Sequence, residues 1–309
     1  SDKDVPKWME NVTILSLIWS VGGVTDTAGR KIFDDLFRQT IMGTIQQDER
    51  WKLFVAKNPG YTGDCMSGRH AVDSVPESGS VYDYKFDMKK GKWESWMPKG
   101  KSFQVEKDIK YADIIIPTID TIRTEALVQM MVLCGRQVLV TGETGTGKSA
   151  FINNMIDGIL DKTKFTPIFV NFSAQTTANQ TQDIIDGKLG KRRKGVFGPS
   201  PGFTATIFVD DLNMPMKEEY GAQPPIEILR AWMDHNGWWD RHDPTWAFKS
   251  IVNVQFIAAM GPPGGGKTQI TSRYVRHFNM INIVPFDAES LKIIFSAICT
   301  WFLADFGSS

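Results

Sequence analysis

A glycine-rich stretch between an apolar run and an amphipathic run limits the folds that are open to this chain. Residues 137–141 read Gln-Val-Leu-Val-Thr, residues 142–149 read Gly-Glu-Thr-Gly-Thr-Gly-Lys-Ser, and residues 150–160 carry apolar side chains at helical spacing. The pattern GxxxxGK(S/T) between a strand and a helix is typical of a phosphate-binding loop, or P-loop. Its glycines let consecutive amide groups turn towards phosphate oxygens, and the following helix N-terminus favours the same anion. The stretch predicts an α/β domain with a site for phosphate groups.

A second apolar run supplies the acidic residues that such a loop needs. Residues 206–211 read Thr-Ile-Phe-Val-Asp-Asp, which places two carboxylates at the end of a predicted buried strand. We expect Lys148 to bind the β- and γ-phosphates, and Ser149 and Asp210 to hold Mg²⁺. Asp211 lies where a general base would orient water, but it is one methylene shorter than glutamate. Because a displacement of about 1 Å can slow a reaction about a hundredfold, the site is expected to hydrolyse slowly.

A second stretch matches the same pattern. Residues 261–268 read Gly-Pro-Pro-Gly-Gly-Gly-Lys-Thr, follow another apolar run and precede residues that we expect to form a helix. The acid after Lys267, Asp287, follows too closely for a strand and a helix to intervene. We therefore expect one nucleotide site, at Lys148 and Asp210, and a second loop that lies near the γ-phosphate. A second phosphate site remains the alternative.

The rest of the chain predicts an α/β fold with a parallel sheet and flanking helices. Its apolar runs are short, rich in β-branched and aromatic residues, and mostly separated by segments long enough for a helix. Continuous apolar strands indicate coverage on both faces, as in a parallel sheet with crossover helices. The predicted strands are residues 137–141, 167–172, 205–209, 252–260 and 280–284.

The first hundred residues have a different pattern. Residues 8–37 show helical apolar spacing that is split by a glycine-rich corner, and residues 81–87 alternate apolar with polar, as in a hairpin strand. We therefore expect three parts, namely a small helical subdomain at residues 1–77, a short β-rich connector at residues 78–108 and a large α/β subdomain at residues 109–309.

Composition excludes several classes of function. The chain has 35 basic and 35 acidic residues and a net charge of +0, so neither nucleic acid nor a membrane is expected as a partner. The basic run at residues 191–194 predicts an exposed hairpin. The apolar run at residues 12–24 is too short to span a bilayer. The three cysteines lie far apart, which argues against a disulfide framework or a cysteine zinc site.

In the motifs described above and in several further stretches, the chain resembles an AAA+ ATPase module of axonemal dynein heavy chains. Residues 208–215, Phe-Val-Asp-Asp-Leu-Asn-Met-Pro, are among the most specific, and residues 17–23, Leu-Ile-Trp-Ser-Val-Gly-Gly, resemble the helical subdomain that ends the second of six ring modules. The remainder resembles the large subdomain of the third module. The other stretches that carry the resemblance are residues 114–123, 142–149, 171–182, 191–199, 220–225 and 273–279.

The resemblance implies roles for individual residues. Ile115, Ile116, Pro117 and Thr118 resemble the segment that contacts adenine, and Arg273 and Arg276 resemble the arginine-finger region, which reaches the nucleotide of the preceding module. Solvated helix-surface arginines are the alternative. The residues that we expect to act in catalysis are therefore Asp211, Arg273 and Arg276. The remaining contacts implied for the nucleotide are Gly142, Thr144, Gly145, Thr146, Gly147, Lys148, Ser149 and Ala150.

The family implies a nucleotide-binding module that binds Mg²⁺ with ATP or ADP and contributes to microtubule-based motility of cilia and flagella. Its implied partners are the other AAA modules, microtubules through distant parts of the chain, and dynein intermediate and light chains. The implied location is the cytoplasm, within the cytoskeleton of the ciliary axoneme. Asp211, Gly261 and the Lys267-Thr268 pair depart from the family pattern. They favour an alternative, a module that holds nucleotide without hydrolysis. A third hypothesis is an unrelated AAA+ remodeller of nucleic acid.

Overall fold

The computed structural model describes residues 5–59, 75–97, 109–111 and 114–306, with side chains to residue 303. The chain divides into two units, Ser1–Ser102 and Phe103–Ser309. Residues 98–108 of the predicted connector lie outside the described residues, and the three-part division remains a prediction. No helix in the described ranges is long and apolar enough to cross a membrane.

The described residues of the first unit form three α-helices and a hairpin. The glycine-rich corner predicted between the first two helices is a 3₁₀ turn at Gly22–Val24, where a Cβ on Gly22 would collide with the ring of Phe33 at 2.8 Å. Trp19 packs edge-on against Tyr82, with ring centroids 5.6 Å apart. The elements are α1 (Val5–Ser20), α2 (Thr27–Ile41), α3 (Glu49–Lys57), β1 (Tyr84–Asp87) and β2 (Lys92–Ser95).

The hairpin strand begins later than the alternating pattern predicts. Val81–Asp83 form a 3₁₀ turn, because the Ser80 side chain accepts the amide of Tyr82 while the Asp83 carboxylate accepts the amide of Ser80. Such a capping box stabilises a turn over an extended chain. β1 then pairs antiparallel with β2, as expected for a hairpin.

The second unit is built on a five-stranded parallel sheet flanked by helices, which confirms the predicted fold class. The strand order is β11-β3-β10-β7-β4, so β10 lies between the strand of the P-loop and the strand of the acidic pair. All five strands end at one edge, where loops from neighbouring strands meet. The strands are β3 (Val138–Gly142), β4 (Phe165–Asn171), β7 (Thr204–Asp210), β10 (Val254–Met260) and β11 (Asn279–Ile283).

Burial differs between the centre and the edge of this sheet. Nearly all residues of β7 and β10 are buried, whereas β4, one of the two edge strands, has exposed side chains beside its buried ones. The expectation that every strand is covered on both faces is therefore wrong for β4. The flanking helices are α4 (Ile119–Leu133), α5 (Lys148–Asn154), α6 (Ala178–Asp186), α7 (Pro224–His235), α8 (Ser272–Val275) and α9 (Ala288–Phe306).

A second sheet of four short strands, ordered β5-β6-β9-β8, was not predicted as a unit. The basic run at residues 191–194 lies in the hairpin of its first two strands, as the sequence predicts. Trp232 and Trp238 pack in the core with β7 and β10 side chains. The strands are β5 (Gly190–Arg193), β6 (Val196–Gly198), β8 (Gly237–Trp239) and β9 (Phe248–Ile251).

Candidate functional site

The P-loop connects β3 to α5 at the carboxyl edge of the parallel sheet. Gly145 and Gly147 have φ values of +86° and +75°, a backbone region that residues with a Cβ rarely adopt. A Cβ on Gly142 would lie 2.8 Å from the carbonyl oxygen of Ile283, so the loop approaches β11 closely. α5 begins at Lys148, as predicted, but it ends at Asn154 and continues as a π-helical turn, Met155–Ile159.

Lys148 folds back into its own loop. Its Nζ donates to the carbonyl oxygens of Gly142 at 2.9 Å and Glu143 at 2.6 Å, and lies 3.3 Å from Thr146 Oγ1. Only 9% of the residue is exposed. Burial, and then the charge of Lys267, lower the pKa of Lys148 below its usual value, although nearby carboxylates act in the opposite direction. The ammonium group is therefore positioned beside the loop in a site where an added anion would stabilise its charge.

The loop passes a test of fit to phosphate groups. Among the described residues, no acceptor bonds the amide groups of residues 144–148, which leaves consecutive donors available to an anion. Thr146 is buried, and its hydroxyl donates to the carbonyl of Glu143 at 2.9 Å, which stabilises the turn. Thr144 and Ala150 are exposed and Ser149 is partly exposed, all within or next to the loop. A set of free amides beside a buried lysine is the arrangement expected of an anion site.

The acidic pair lies at the end of β7. Asp210 is the last residue of the strand, and its Oδ1 accepts the amide of Asp211 at 2.9 Å. Asp211 has a φ of +50°, so the chain turns sharply after the strand. Both carboxylates lie near enough to Lys148 to raise its pKa. The structure thus brings the predicted metal-binding acid and the predicted base into the electrostatic neighbourhood of the P-loop.

The second glycine-rich loop, residues 261–268, follows β10 and reaches the same place. Lys267 Nζ donates to Asp211 Oδ1 at 2.9 Å. The Lys267 side chain lies over Gly261, where an added Cβ would approach its Nζ to 2.9 Å. The expected helix directly after this loop is wrong, because residues 267–271 are not helical and the next helix, α8, has only four residues. Because no helix begins at Lys267, the loop lacks the helix N-terminal amides that help a P-loop to bind an anion.

Buried hydrogen bonds join the loop after β7 to the loop after β10. Asn213 Nδ2 donates to the carbonyl of Gly261 at 2.9 Å, and the amide of Thr268 donates to the carbonyl of Asn213 at 2.9 Å. Gln223 Nε2 donates to Thr268 Oγ1 at 2.6 Å and to the carbonyl of Pro215 at 2.7 Å. Sequence reasoning assigned no role to Asn213 or Gln223. The available signal was their polarity beside apolar runs, since buried amides usually bond to backbone.

The segment predicted to contact adenine lies directly before α4. Ile116 and Thr118 are buried, while Ile115 and Pro117 are partly buried. The hydroxyl of Thr118 caps α4 by accepting the amide of Thr121. The segment therefore places buried and partly buried apolar side chains directly before α4, which contacts β3.

The two predicted arginine-finger residues lie on and beside α8. Arg273 is exposed, and Arg276 is largely exposed, with its Nη2 donating to Asp234 on α7 at 2.9 Å. Burial raises the pKa of Asp234, but hydrogen bonds from Arg276 and Arg230 outweigh it and leave that pKa below its usual value. The role of the two predicted residues in another module's site remains a prediction.

Comparison with known proteins agrees with this geometry. Residues 103–286 match the family model of the P-loop containing dynein motor region, and residues 1–98 match that of the dynein heavy chain AAA lid domain. Dynein axonemal heavy chain 12 of Homo sapiens is 43% identical over 299 residues, which cover 94% of this chain and 9% of the relative. Dynein axonemal heavy chain 3 of Mus musculus is 42% identical over 306 residues, which cover 97% of this chain and 7% of the relative.

A third relative, dynein axonemal heavy chain 1 of Mus musculus, is 41% identical over 315 residues, covering 95% of this chain and 7% of the relative. The chain thus spans less than a tenth of the length of these relatives. The resemblance seen in the sequence is confirmed over nearly the whole chain. The chain belongs to the axonemal dynein heavy chain family, of which it carries an AAA motor region.

Proposed function

We propose that the P-loop of this chain binds ATP or ADP with Mg²⁺, as one nucleotide-binding module of a motor ring. The single observation that carries the proposal is the position of Lys148, whose buried ammonium bonds to the carbonyls of Gly142 and Glu143 near the carboxylates of Asp210 and Asp211. In this proposal residues 142–150 surround the phosphates and residues 115–118 lie against the base.

We assign Mg²⁺ to Ser149 and Asp210. A serine hydroxyl and an aspartate carboxylate are hard oxygen ligands, and Mg²⁺ is usually held by few protein ligands together with phosphate oxygens and water. Bound Mg²⁺ would neutralise charge on the phosphates. Asp211 then orients water, and Arg273 and Arg276 face the nucleotide of the preceding module.

At the level of the whole protein, we propose that this is the third AAA module of a dynein ring, preceded by the end of the second. Nucleotide turnover or occupancy here contributes to ATP-driven microtubule motility in the axoneme of cilia and flagella. The partners are the other modules, microtubules reached through distant parts of the chain, and intermediate and light chains. The similarity of this chain to axonemal dynein heavy chains, over less than a tenth of their length, supports the proposal.

Photo-crosslinking tests the binding proposal at this site alone. The polypeptide of natural length is labelled with 8-azido-ATP and Mg²⁺, and the labelled peptides are mapped. We expect label in residues 114–150, and its loss in Lys148→Ala. Lys164→Ala is the control, because Lys164 pairs with Asp161 before β4, at the opposite edge of the sheet. Label elsewhere only, or label that survives Lys148→Ala, contradicts the proposal.

A second candidate function is a module that holds nucleotide without hydrolysing it. The ion pair between Asp211 and Lys267 favours it, because a carboxylate that already accepts a hydrogen bond from a lysine is less available to orient water. Gly261 also favours it, because glycine has no side chain with which to orient water. Single-turnover phosphate release from wild type, Lys148→Ala and Asp211→Asn separates the two functions. If neither variant changes any hydrolysis phase, the holding function is supported and the enzymatic one is rejected.

A further inference from the structure

The contact between Lys267 and Asp211 joins two loops that sequence separates widely. The two side chains lie 2.9 Å apart, and the exposed fractions are 16% for Lys267 and 49% for Asp211. Lys267 is also close enough to Lys148 to lower its pKa. Two lysines and two aspartates therefore form one charge cluster at the carboxyl edge of the sheet, and their formal charges cancel.

The backbone that carries Lys267 is held in place. Gly264 and Lys267 exchange backbone hydrogen bonds of 2.9 and 3.0 Å. The next residue, Thr268, bonds to Asn213 and Gln223, both almost fully buried. The side chain of Lys267 lies over Gly261, where the lack of a Cβ gives it room, and its ammonium can change partner while its backbone stays in place.

A terminal phosphate would compete with Asp211 for this lysine. The Asp211 side of this ion pair is 49% exposed, so water weakens its attraction for Lys267, and a more highly charged phosphate can replace it. Lys267 contacts Asp211 and lowers the pKa of Lys148, and Asp210 acts on that same lysine in the opposite direction. Lys148 comes from the P-loop and Lys267 from the loop after β10, so Lys267 adds a second cation that can bind the terminal phosphate.

We propose that Lys267 exchanges Asp211 for the terminal phosphate of a nucleoside triphosphate. Lys267 is then a positioning residue with two effects, since it makes the site prefer triphosphate over diphosphate and releases the Asp211 carboxylate only when a triphosphate is present. The inference rests on the proposed function of the P-loop, and it adds a selectivity that the P-loop alone does not supply.

The test measures affinity for two competitors at one mapped site. Label by 8-azido-ATP in residues 114–150 is displaced by ADP or by the non-hydrolysable β,γ-imido analogue of ATP. Lys267→Met is expected to lower the affinity for the analogue about tenfold and the affinity for ADP less than twofold. Asp211→Asn is expected to strengthen the analogue, because it removes the competing carboxylate. Lys267→Arg is expected to restore most of the preference.

Controls separate this inference from the function on which it rests. Lys164→Met, which alters another lysine paired with an aspartate, should change neither affinity. Equal losses for both nucleotides in Lys267→Met, or no loss, overturn the inference while leaving the binding function intact. Failure of wild type to label residues 114–150 overturns both. Lys267→Met and Lys267→Arg could instead shift the thermal midpoint alike and both lose the preference for triphosphate. That result would show that Lys267 has a structural role and would overturn the inference.

Discussion

The loops at residues 142–149 and 261–268 satisfy the same pattern, yet they differ in the segment after the lysine and in the contacts that the lysine makes. Lys148 begins α5 and bonds to carbonyls of its own loop. Lys267 precedes a non-helical segment and bonds to Asp211, from the end of another strand. The same residue pattern at the same spacing therefore supports two geometries.

The helix after the loop, more than the glycines within it, makes the anion site. Gly264, Gly265 and Gly266 all have positive φ values, as do Gly145 and Gly147, so both loops use the same backbone freedom. Only the first loop feeds directly into a helix whose N-terminal amides and dipole attract an anion. The second loop is instead hydrogen-bonded to Asn213.

The largest expected effect is on Lys148. Lys148→Ala removes the buried ammonium, and we expect nucleotide affinity at this site to fall at least a hundredfold, by about 3 kcal/mol at 1.4 kcal/mol per tenfold. Lys267→Ala should lower the affinity for ADP less than twofold. Competition for photo-label in residues 114–150 measures both. Comparable losses of ADP affinity in the two variants would erase the distinction between the loops.

A pair of glycine substitutions gives the next largest effect. Gly145→Ala and Gly265→Ala both add a Cβ at positive φ, where neither would meet an atom within 4 Å. Each should lower the free energy of unfolding by about 1–2 kcal/mol through backbone strain. Only Gly145→Ala should weaken nucleotide binding, by about tenfold, because it redirects amides of the P-loop. Chemical denaturation and photo-label competition give the two quantities, and an affinity loss in Gly265→Ala of similar size would count against the assignment.

A smaller effect is expected in the pH dependence of ADP binding. The pKa of Lys148 is lowered by burial and then by Lys267, and phosphate binds the protonated lysine better. Affinity should therefore fall as pH rises through that pKa. Lys267→Met removes the neighbouring positive charge, so the pKa rises and the alkaline fall moves to higher pH. Affinity titrations in matched buffers measure the shift, and a shift to lower pH would show that Lys267 does not act on Lys148.

The smallest expected effect lies beyond the second loop. Tyr274 on α8 is fully buried, and its hydroxyl has no partner among the described residues. Burial raises the pKa of Tyr274, so the side chain stays neutral across the physiological range. Tyr274→Phe should raise the free energy of unfolding by about 1 kcal/mol, since an unpaired buried hydroxyl is costly. Nucleotide affinity should not change, and destabilisation on denaturant unfolding would reveal an unrecognised partner.

Much of the fold follows from local pattern. The five strands of the parallel sheet lie within two residues of the predicted apolar runs, because burial on both faces of the central strands demands continuous apolar sequence. The four-stranded sheet was missed, because strands such as Val196–Gly198 and Gly237–Trp239 are shorter than any periodicity can resolve.

The candidate site was predicted in its parts but not in its connections. The P-loop and Asp210 were predicted because each depends on a strand and the few residues after it. The pairing of Lys267 with Asp211 depends on the strand order, in which β10 lies between β3 and β7. Apolar runs carry no information about that order. The helix expected after Thr268 fails for a similar reason, because a distant residue, Asn213, takes the hydrogen bond of its amide.

The most direct measurement of the central claim is an experimental structure determined with Mg²⁺ and the β,γ-imido analogue of ATP. We expect phosphate density against residues 142–149, a metal ion beside Ser149 and Asp210, and Lys148 turned from the carbonyls of Gly142 and Glu143 towards the phosphates. Density for the α- and β-phosphates against residues 261–268, with Lys148 still bonded to those carbonyls, would contradict it.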